Sequence, residues 1–346
     1  RLEPQVASPQ RPGLSGPSAF MPPKYEEEEM HLVQSMAYVG HKPWHGLGNQ
    51  LARQQPIEVW KQQAGMDWQI EESEVRYVTG KRSVGTIQAF PENKVLYRSD
   101  TKKPLAVVSR RFQVVQPGEI LEFYRDLTAD NGFELETAGI LREGRKFWAL
   151  ARTGQSTTLR GRDRVDGYLL LATACDGTLA TTAQFTSVRV VCNNTLAVAV
   201  GQGEGAVRVP HRSQFDAGRA KGKLGLTVST WGAFEERARA LCERPMDDDE
   251  AEALLRRVLT YAATNAASVV NEHAVAGVRA LYNGGGQGAR LASSRGTAWG
   301  LLNGITEYVD HHRRARREEH RRGAAWFGEG ARIKQRAWAE LTGLVA

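Results

Sequence analysis

The feature that most constrains the fold is a series of short β-prone segments between residues 74 and 191, separated by turn-forming Gly, Asp and Asn residues. They include EVRYVTG, SVGTIQAF, KVLYRSD, GFELETAGIL, RKFWALARTG, GYLLLATACDG and LATTAQFTSVRVV. One helix interrupts them, QPGEILEFYRDLTAD, with Pro117 near its start. Strands do not alternate regularly with helices, which argues against a doubly wound parallel sheet. The pattern predicts an α+β fold with an antiparallel sheet and packed helices.

From Lys223 onward the periodicity is helical. The acidic run DDDE is explained as a helix start, with Asp247 as N-cap and Glu250 three residues later. A long helix is predicted from Thr297 to Arg322. The predicted organisation is a disordered tail at residues 1–35, a strand-rich α+β core at 36–222 and a helical region at 223–346 that packs on this core.

Residues 185–200, FTSVRVVCNNTLAVAV, predict a strand that runs into a helix, with Asn193 or Asn194 as the helix N-cap. Arg189 lies in the middle of the β-prone part. A charge at such a position requires either a buried partner or an exposed groove. We count Arg189 among the candidate nucleic-acid contacts.

The composition and the missing motifs limit which partners, binding sites and reactions are expected of this chain. The chain has 46 Lys and Arg against 39 Asp and Glu, a formal net charge of +7 that favours an acidic partner such as nucleic acid. Three cysteines without a C-x-x-C pair argue against a disulfide framework or a cysteine zinc site, and favour the cytoplasm. No apolar run has the length of a membrane helix. Phosphate-loop, dinucleotide and nucleophile-elbow motifs are absent, so neither a cofactor nor ATP-driven chemistry is expected.

Three basic patches combine cations with aromatic residues or turns. This combination suits single-stranded nucleic acid, because cations contact phosphates and aromatic rings stack on bases. The alternative is that the rings belong to the core and the cations only flank turns. The patches are Arg110 and Arg111 beside Phe112, then Arg142, Arg145 and Lys146 beside Phe147 and Trp148, and finally Arg160, Arg162 and Arg164.

The segment HHRRARREEHRR, residues 311–322, is predicted to be helical. Residues four apart share a helix face, so Arg313, Arg317 and Arg321 would form a stripe of like charge. Phosphates along this stripe would remove the repulsion and release counterions. A solvated helix face with some salt bridges explains the segment equally well. A metal site is disfavoured, because no two of its histidines are four residues apart.

Four stretches together resemble one known family. They are MAYVGHKPWHGLG, VVSRRFQVVQPGEILEF, GYLLLATACDGTLATTAQFTSVRVVCNNTLAVA and SRGTAWGLLNGITEYVDHHR. Over about residues 36–340 the chain resembles the phage/plasmid-like protein family, a domain of unknown function on mobile elements. The resemblance implies a distant relationship to single-strand annealing recombinases of the RecT and Red-beta type. Such proteins work without ATP, bind single strands in a basic groove and form rings or filaments.

We therefore hypothesise that the chain is a mobile-element protein that binds and anneals single-stranded DNA in recombination, without covalent chemistry. We expect it to be cytoplasmic and to form homo-oligomers. Arg110, Arg111, Arg145, Lys146 and Arg189 would line a groove on the sheet. The Arg stripe would hold the backbone or a second strand. Two alternatives stay open. One is a protein-interaction or self-assembly module. The other is a metal-dependent nuclease that uses the E-x-K spacing of Glu92 and Lys94.

Overall fold

The structure is a computed structural model of the 346-residue chain. The residues that it describes are 33–40, 48–80, 85–130, 132–191, 194–197, 206–224, 228–262, 268–316 and 318–345. Most of the predicted tail, residues 1–32, therefore lies outside the described residues.

The strands in the described residues are β1 Val33–Val39, β2 Asn49–Leu51, β3 Ile70–Thr79, β4 Thr86–Arg98, β5 Pro104–Ser109, β6 Glu134–Leu141, β7 Lys146–Leu159, β8 Asp163–Ala174, β9 Thr181–Arg189, β10 Asn194–Ala197, β11 Ala206–Val209, β12 Thr260–Ala262 and β13 Ser268–Val270. The α-helices are α1 Ile57–Gln63, α2 Pro117–Glu122, α3 Arg125–Asp130, α4 Ala217–Leu224, α5 Val228–Glu243, α6 Asp248–Val258, α7 Glu272–Ala280, α8 Ala298–Glu307, α9 Glu318–Phe327 and α10 Glu329–Gly343. Shorter helical turns are Arg142–Gly144, Leu281–Gly285 and Tyr308–His312.

The larger sheet is built mainly from antiparallel hairpins. Its strand order is β10–β9–β8–β7–β6–β1–β2, and β11 pairs with the part of β9 that β10 does not cover. Strands β6 to β9 follow one another in sequence and in space, which needs only short turns. The pair β1–β2 is parallel. The predicted fold class, α+β with an antiparallel sheet and a helical C-terminal region, is confirmed.

Apolar side chains cover both faces of this sheet. Along a strand, successive side chains point to opposite faces. Phe147, Ala149 and Leu169 accordingly belong to the main core cluster, whereas Trp148 belongs to a second cluster on the other face. On that second face Trp326 of α9 packs edge to face on Trp148, with ring centroids 5.4 Å apart.

Helices α2 and α3 cover the first face. Their junction places Tyr124 in the core, where its hydroxyl oxygen lies 2.9 Å from the carbonyl oxygens of both Ala149 and Leu169. Burial raises the pKa of Tyr124 well above its usual value, so the phenol stays protonated. Helix α2 starts with Gln116 as N-cap in a capping box and with Pro117 at its first turn, as its sequence predicts.

The C-terminal helices share the main core cluster with the sheet. Trp338 of α10 stacks on Phe234 of α5, with ring centroids 5.5 Å apart. The predicted helix start at Asp247 is confirmed, because its side chain accepts the Glu250 backbone N–H at 2.8 Å. Within the described residues, no helix has both the length and the apolar character needed to cross a bilayer.

The strand-to-helix prediction for residues 185–200 is wrong for its described part. Asn194 begins strand β10, which pairs antiparallel with β9, rather than a helix. Asn193 lies outside the described residues. The edge of β9 offers unpaired backbone groups, and a returning strand satisfies them.

The smaller sheet has the antiparallel order β3–β4–β5 and carries a projecting hairpin. Strand β5 pairs only with Asn93–Tyr97 of β4. Beyond this point Val75–Thr79 and Thr86–Phe90 pair with each other and with no further strand of the described chain. We call these two segments the β arm. Its tip, residues 81–84, lies outside the described residues.

Candidate nucleic-acid interface

The predicted basic patches lie at opposite ends of the β7–β8 hairpin. Lys146 begins β7, a strand of 14 residues, and Leu159 ends it. At about 3.3 Å per residue the two ends are roughly 45 Å apart. Arg145 lies at the first end, whereas Arg162 and Arg164 lie at the second. The patches therefore cannot contact the same short segment of nucleic acid.

Four segments meet at the first end of the sheet. We call residues 109–113, 142–146, 174–179 and 208–213 the basic end. The backbone N–H of Cys175 donates to the carbonyl oxygen of Arg145 at 2.9 Å. Nε2 of His211 lies 2.9 Å from the carbonyl oxygen of Leu179. The His211 ring stacks on Phe112 at a centroid distance of 4.3 Å and an interplanar angle of 18°. These contacts bring the first two predicted patches together.

A strained turn before β7 sets the direction of the following residues. Arg142, Glu143 and Gly144 all have left-handed backbone conformations, with φ of 53°, 58° and 96°. Such conformations cost about 1 kcal/mol or more for a non-glycine residue and persist only where the surroundings hold them. A Cβ on Gly144 would lie 2.9 Å from Cζ2 of Trp68, so only glycine fits against this ring.

The Trp68 ring packs against the guanidinium group of Arg98. The guanidinium carbon of Arg98 lies 4.0 Å from the centroid of the Trp68 ring. Arg98 also donates to both carboxylate oxygens of Asp100, from Nε at 2.9 Å and from Nη2 at 2.6 Å. These hydrogen bonds lower the pKa of Asp100 to about 2. Arg98 is thus satisfied inside the protein and supports the turn.

The basic end has a large excess of positive charge. It contains seven Lys and Arg and two carboxylates. The cations are Arg110, Arg111, Arg142, Arg145, Lys146, Arg208 and Arg212, and the carboxylates are Glu143 and Asp176. Arg208 on β11 is exposed. Four further arginines, at positions 110, 111, 145 and 212, are exposed, and a fifth, Arg142, is half-buried. None of these five forms an ion pair with another described residue.

Several other arginines on the surface are paired within the chain. Arg125 lies 2.5 Å from Glu58, and Arg160 lies 2.5 Å from Glu243. Such pairs offer little unsatisfied charge to a partner. The five arginines of the basic end other than Arg208 keep their charge and their donors available, and planar guanidinium donors suit bidentate contact with phosphate.

Two groups of the β8–β9 turn are not available for chemistry. The Asp176 carboxylate accepts the backbone N–H of Thr178 at 3.0 Å and its hydroxyl at 2.5 Å. The Cys175 thiol is buried, and burial raises its pKa to about 12. A protonated, buried thiol is a poor nucleophile. Neither group of this turn is therefore a candidate nucleophile.

The aromatic residues of the predicted patches are not available for stacking on bases. Phe112, Phe147 and Trp148 are all buried. Phe147 packs edge to face on Trp68 at a centroid distance of 5.6 Å. The expectation that these rings stack on bases is wrong, because the sheet is covered on both faces and so buries both Phe147 and Trp148, while Phe112 packs in the main core cluster.

Arg189 does not line an open groove. Its exposed fraction is 2%, and its Nε and Nη2 each lie 2.7 Å from an oxygen of the buried Asp163 carboxylate. Nη2 also donates to the hydroxyl of Ser294 at 2.7 Å. The charge of Arg189 within its strand is therefore explained by a buried partner, Asp163. The prediction that Arg189 lines an exposed groove is wrong.

Arg164 and Arg162, two of the predicted cations at the far end of the hairpin, differ in their ion pairing. Nε of Arg164 lies 2.7 Å from the carboxylate of Asp166, which is buried. Arg162 is exposed and has no ion pair with another described residue. The far end therefore offers Arg162 alone from this patch.

The predicted Arg stripe does not form. The helical turn at Tyr308–His312 ends at Arg313, which has φ −61° and ψ 128°. A new helix, α9, starts at Glu318, so Arg313 and Arg321 are not on one helix face. Arg321 is half-buried, and Arg317 lies outside the described residues. The prediction of one continuous helix is wrong; like charges four residues apart disfavour such a helix.

The E-x-K pair lies at the base of the β arm. The Lys94 ammonium lies 2.6 Å from the carboxylate of Glu72 on the neighbouring strand, not from Glu92. In the described part of the chain, no group of three or more His, Cys, Asp or Glu side chains is arranged to hold a metal ion.

Sequence reasoning missed three residues of the basic end. Arg208 on β11, His211 and Arg212 join it only because β11 pairs with β9. Their local signal is weak, a short basic turn in VRVPHRS. This long-range pairing brings His211 against Phe112 and Gln113.

Comparison with family models shows the family to which the chain belongs. The model of a family described as "Domain of unknown function (DUF932)" matches residues 104–326. This range covers more than half of the 346 residues and contains the whole basic end, whereas the β arm lies before it. Neither the curated proteins nor the solved structures contain a match.

Proposed function

Since the chain belongs to the DUF932 family, whose function is unknown, its activity must be argued from its own surface, and we propose that it binds single-stranded DNA through the basic end. The observation that carries the proposal is the set of five arginines without ion pairs to other described residues, Arg110, Arg111, Arg142, Arg145 and Arg212. Grouped cations of this kind repel one another unless an anion lies between them. A phosphate backbone supplies such anions in series.

The proposed role is ATP-independent annealing of complementary strands during recombination on a phage or plasmid. The absence of a phosphate-loop motif supports independence from ATP. The resemblance to single-strand annealing proteins supports the annealing step and the origin on a mobile element. This role does not require any residue of the basic end to break or form a covalent bond.

Assembly and location remain predictions. Annealing requires two strands to be held near each other, and a ring or filament of identical subunits would do so by repeating the basic end. Sedimentation of the purified protein, with and without DNA, would measure the assembly. The cysteine content favours the cytoplasm.

The test is binding of a fluorescent single-stranded oligonucleotide across a salt series. Five phosphate contacts predict a slope of log affinity against log salt near −3.5, at about −0.7 per contact. Affinity would then fall about a hundredfold between 50 and 200 mM salt. Adding the complementary strand without ATP should accelerate duplex formation. No binding at low salt, or binding that does not depend on salt, would overturn the proposal.

A further inference from the structure

The β arm carries exposed apolar side chains that its own fold does not use. Tyr77 and Phe90 are 48% and 46% exposed, and Val78 and Ile87 are 63% and 68% exposed. These are four of the ten large hydrophobic side chains that are exposed in the described residues. A two-stranded hairpin is marginally stable in water. Concentrated apolar exposure on such a hairpin marks a binding surface.

The register separates the arm into two different faces. Val75 lies opposite Phe90 and Tyr77 lies opposite Gln88, and residues two apart on a strand share a face. Tyr77 and Phe90 are therefore on one face. Val78 lies opposite Ile87 on the other face, which also carries Arg76 opposite Ala89 and has no aromatic ring among its described residues. Diagonal neighbours such as Tyr77 and Phe90 are about 7–8 Å apart in an antiparallel pair.

The aromatic face begins beside the basic end. The backbone N–H of Arg110 donates to the carbonyl oxygen of Glu92 at 2.9 Å. Phe90 is two residues before Glu92, at a β-bulge in β4, so their Cα atoms are at most about 7 Å apart. Phosphate-binding cations and exposed aromatic rings are thus adjacent, which is the combination that single-stranded nucleic acid requires.

We propose that Tyr77 and Phe90 stack on the unpaired bases of a single strand whose phosphates lie on the basic end. The inference rests on the proposed function. It adds that the protein contacts the bases of the single strand as well as its phosphates. A double helix hides the faces of its bases, so the arm gives preference for single strands. Stacking does not depend on base identity, so this preference is tolerant of sequence.

The experiment compares two probes and two variants. The probes are a fluorescein-labelled single-stranded oligothymidine and an abasic oligodeoxyribose phosphate of the same length. The test variant replaces Tyr77 and Phe90 with Leu, which keeps apolar volume and removes the aromatic faces. The matched control replaces Val78 and Ile87 with Ala on the opposite face. All four side chains are exposed, so both variants should keep the fold, as circular dichroism would verify.

The expected loss of affinity follows from the free energy of base–aromatic stacking. Each ring lost should weaken binding of the oligothymidine about fivefold to a hundredfold. Binding of the abasic probe and the slope against salt should stay at the wild-type values, because the phosphate contacts remain. The control variant should bind both probes as the wild type does.

Two outcomes would overturn the inference while leaving the proposed function in place. One is salt-dependent binding of the oligothymidine that is equal in wild type and the Leu variant. The other is that the Leu variant loses self-association in sedimentation and keeps full DNA binding, which would make a second copy of the chain the partner. Failure of the wild type to bind either probe at low salt would overturn both proposals together.

Discussion

Asp163 and Arg189 form a bidentate ion pair inside the protein, with Nε and Nη2 each 2.7 Å from a different carboxylate oxygen. The same carboxylate accepts the Ser293 hydroxyl at 2.7 Å and the Trp299 indole N–H at 3.0 Å. The pair therefore joins β8 and β9 to the segment around the start of α8. These four hydrogen bonds of the carboxylate are all buried, so the pair contributes to the stability of the fold.

Replacing Asp163 with Asn should strongly destabilise the protein. The substitution leaves the Arg189 charge buried without a counter-charge, which costs about 3–5 kcal/mol. Urea unfolding at neutral pH measures this loss. The control is Arg279→Ala, which removes an exposed pair to Glu252 at 3.1 Å and should cost at most about 1 kcal/mol. Equal, small losses for both variants would show that the buried pair contributes little.

Gly144→Ala should destabilise the turn before β7 more than Gly161→Ala destabilises the turn before β8. Both glycines are left-handed, with φ of 96° and 86°, so both substitutions add backbone strain. Only Gly144 also faces a ring, with Trp68 2.9 Å from the added carbon, whereas nothing lies within 4 Å at Gly161. Overpacking adds about 1–3 kcal/mol. Thermal melting of the two variants measures the difference, and equal midpoints would count against a turn held by Trp68.

The stabilising contribution of Asp100 should disappear in acid. Arg98 lowers the pKa of this carboxyl from 3.8 to about 2 in the folded state. A carboxyl whose folded pKa is depressed stabilises the fold above its unfolded pKa, and this stabilisation is lost as pH falls through the folded pKa. The stability difference between wild type and Asp100→Asn should therefore be constant above about pH 5 and shrink between pH 4 and 2. Urea unfolding at several pH values measures it, and a difference that does not change with pH would refute the assignment.

Local signals in the sequence predicted local structure well. Pro117 and Asp247 mark true helix starts, because a capping residue satisfies backbone groups only two or three residues away. The alternation of residues in β7 and β8 likewise predicts strands. The antiparallel class follows, since consecutive strands with short turns can pair in no other direction.

Features that depend on distant residues could not be predicted in this way. The helix break at Arg313 coincides with a buried ion pair between Asp310 and Lys334 at 2.8 Å, and helical periodicity does not report such a contact. The partner of Arg189 is 26 residues away, and only the strand register brings it close. The basic end was predicted in part, because Arg111 and Arg145 were named but the pairing that adds Arg212 was not visible.

The salt dependence of single-strand binding by a variant of the basic end tests the central claim most directly. The variant carries Arg111→Ala, Arg145→Ala and Arg212→Ala, and Arg162→Ala at the far end of the hairpin is the matched control. Losing three phosphate contacts should reduce the slope of log affinity against log salt by about 2, with weaker binding at every salt concentration. Arg162→Ala should keep the wild-type slope. A triple variant with the wild-type slope and affinity would contradict the account and place the nucleic-acid contact elsewhere on the molecule.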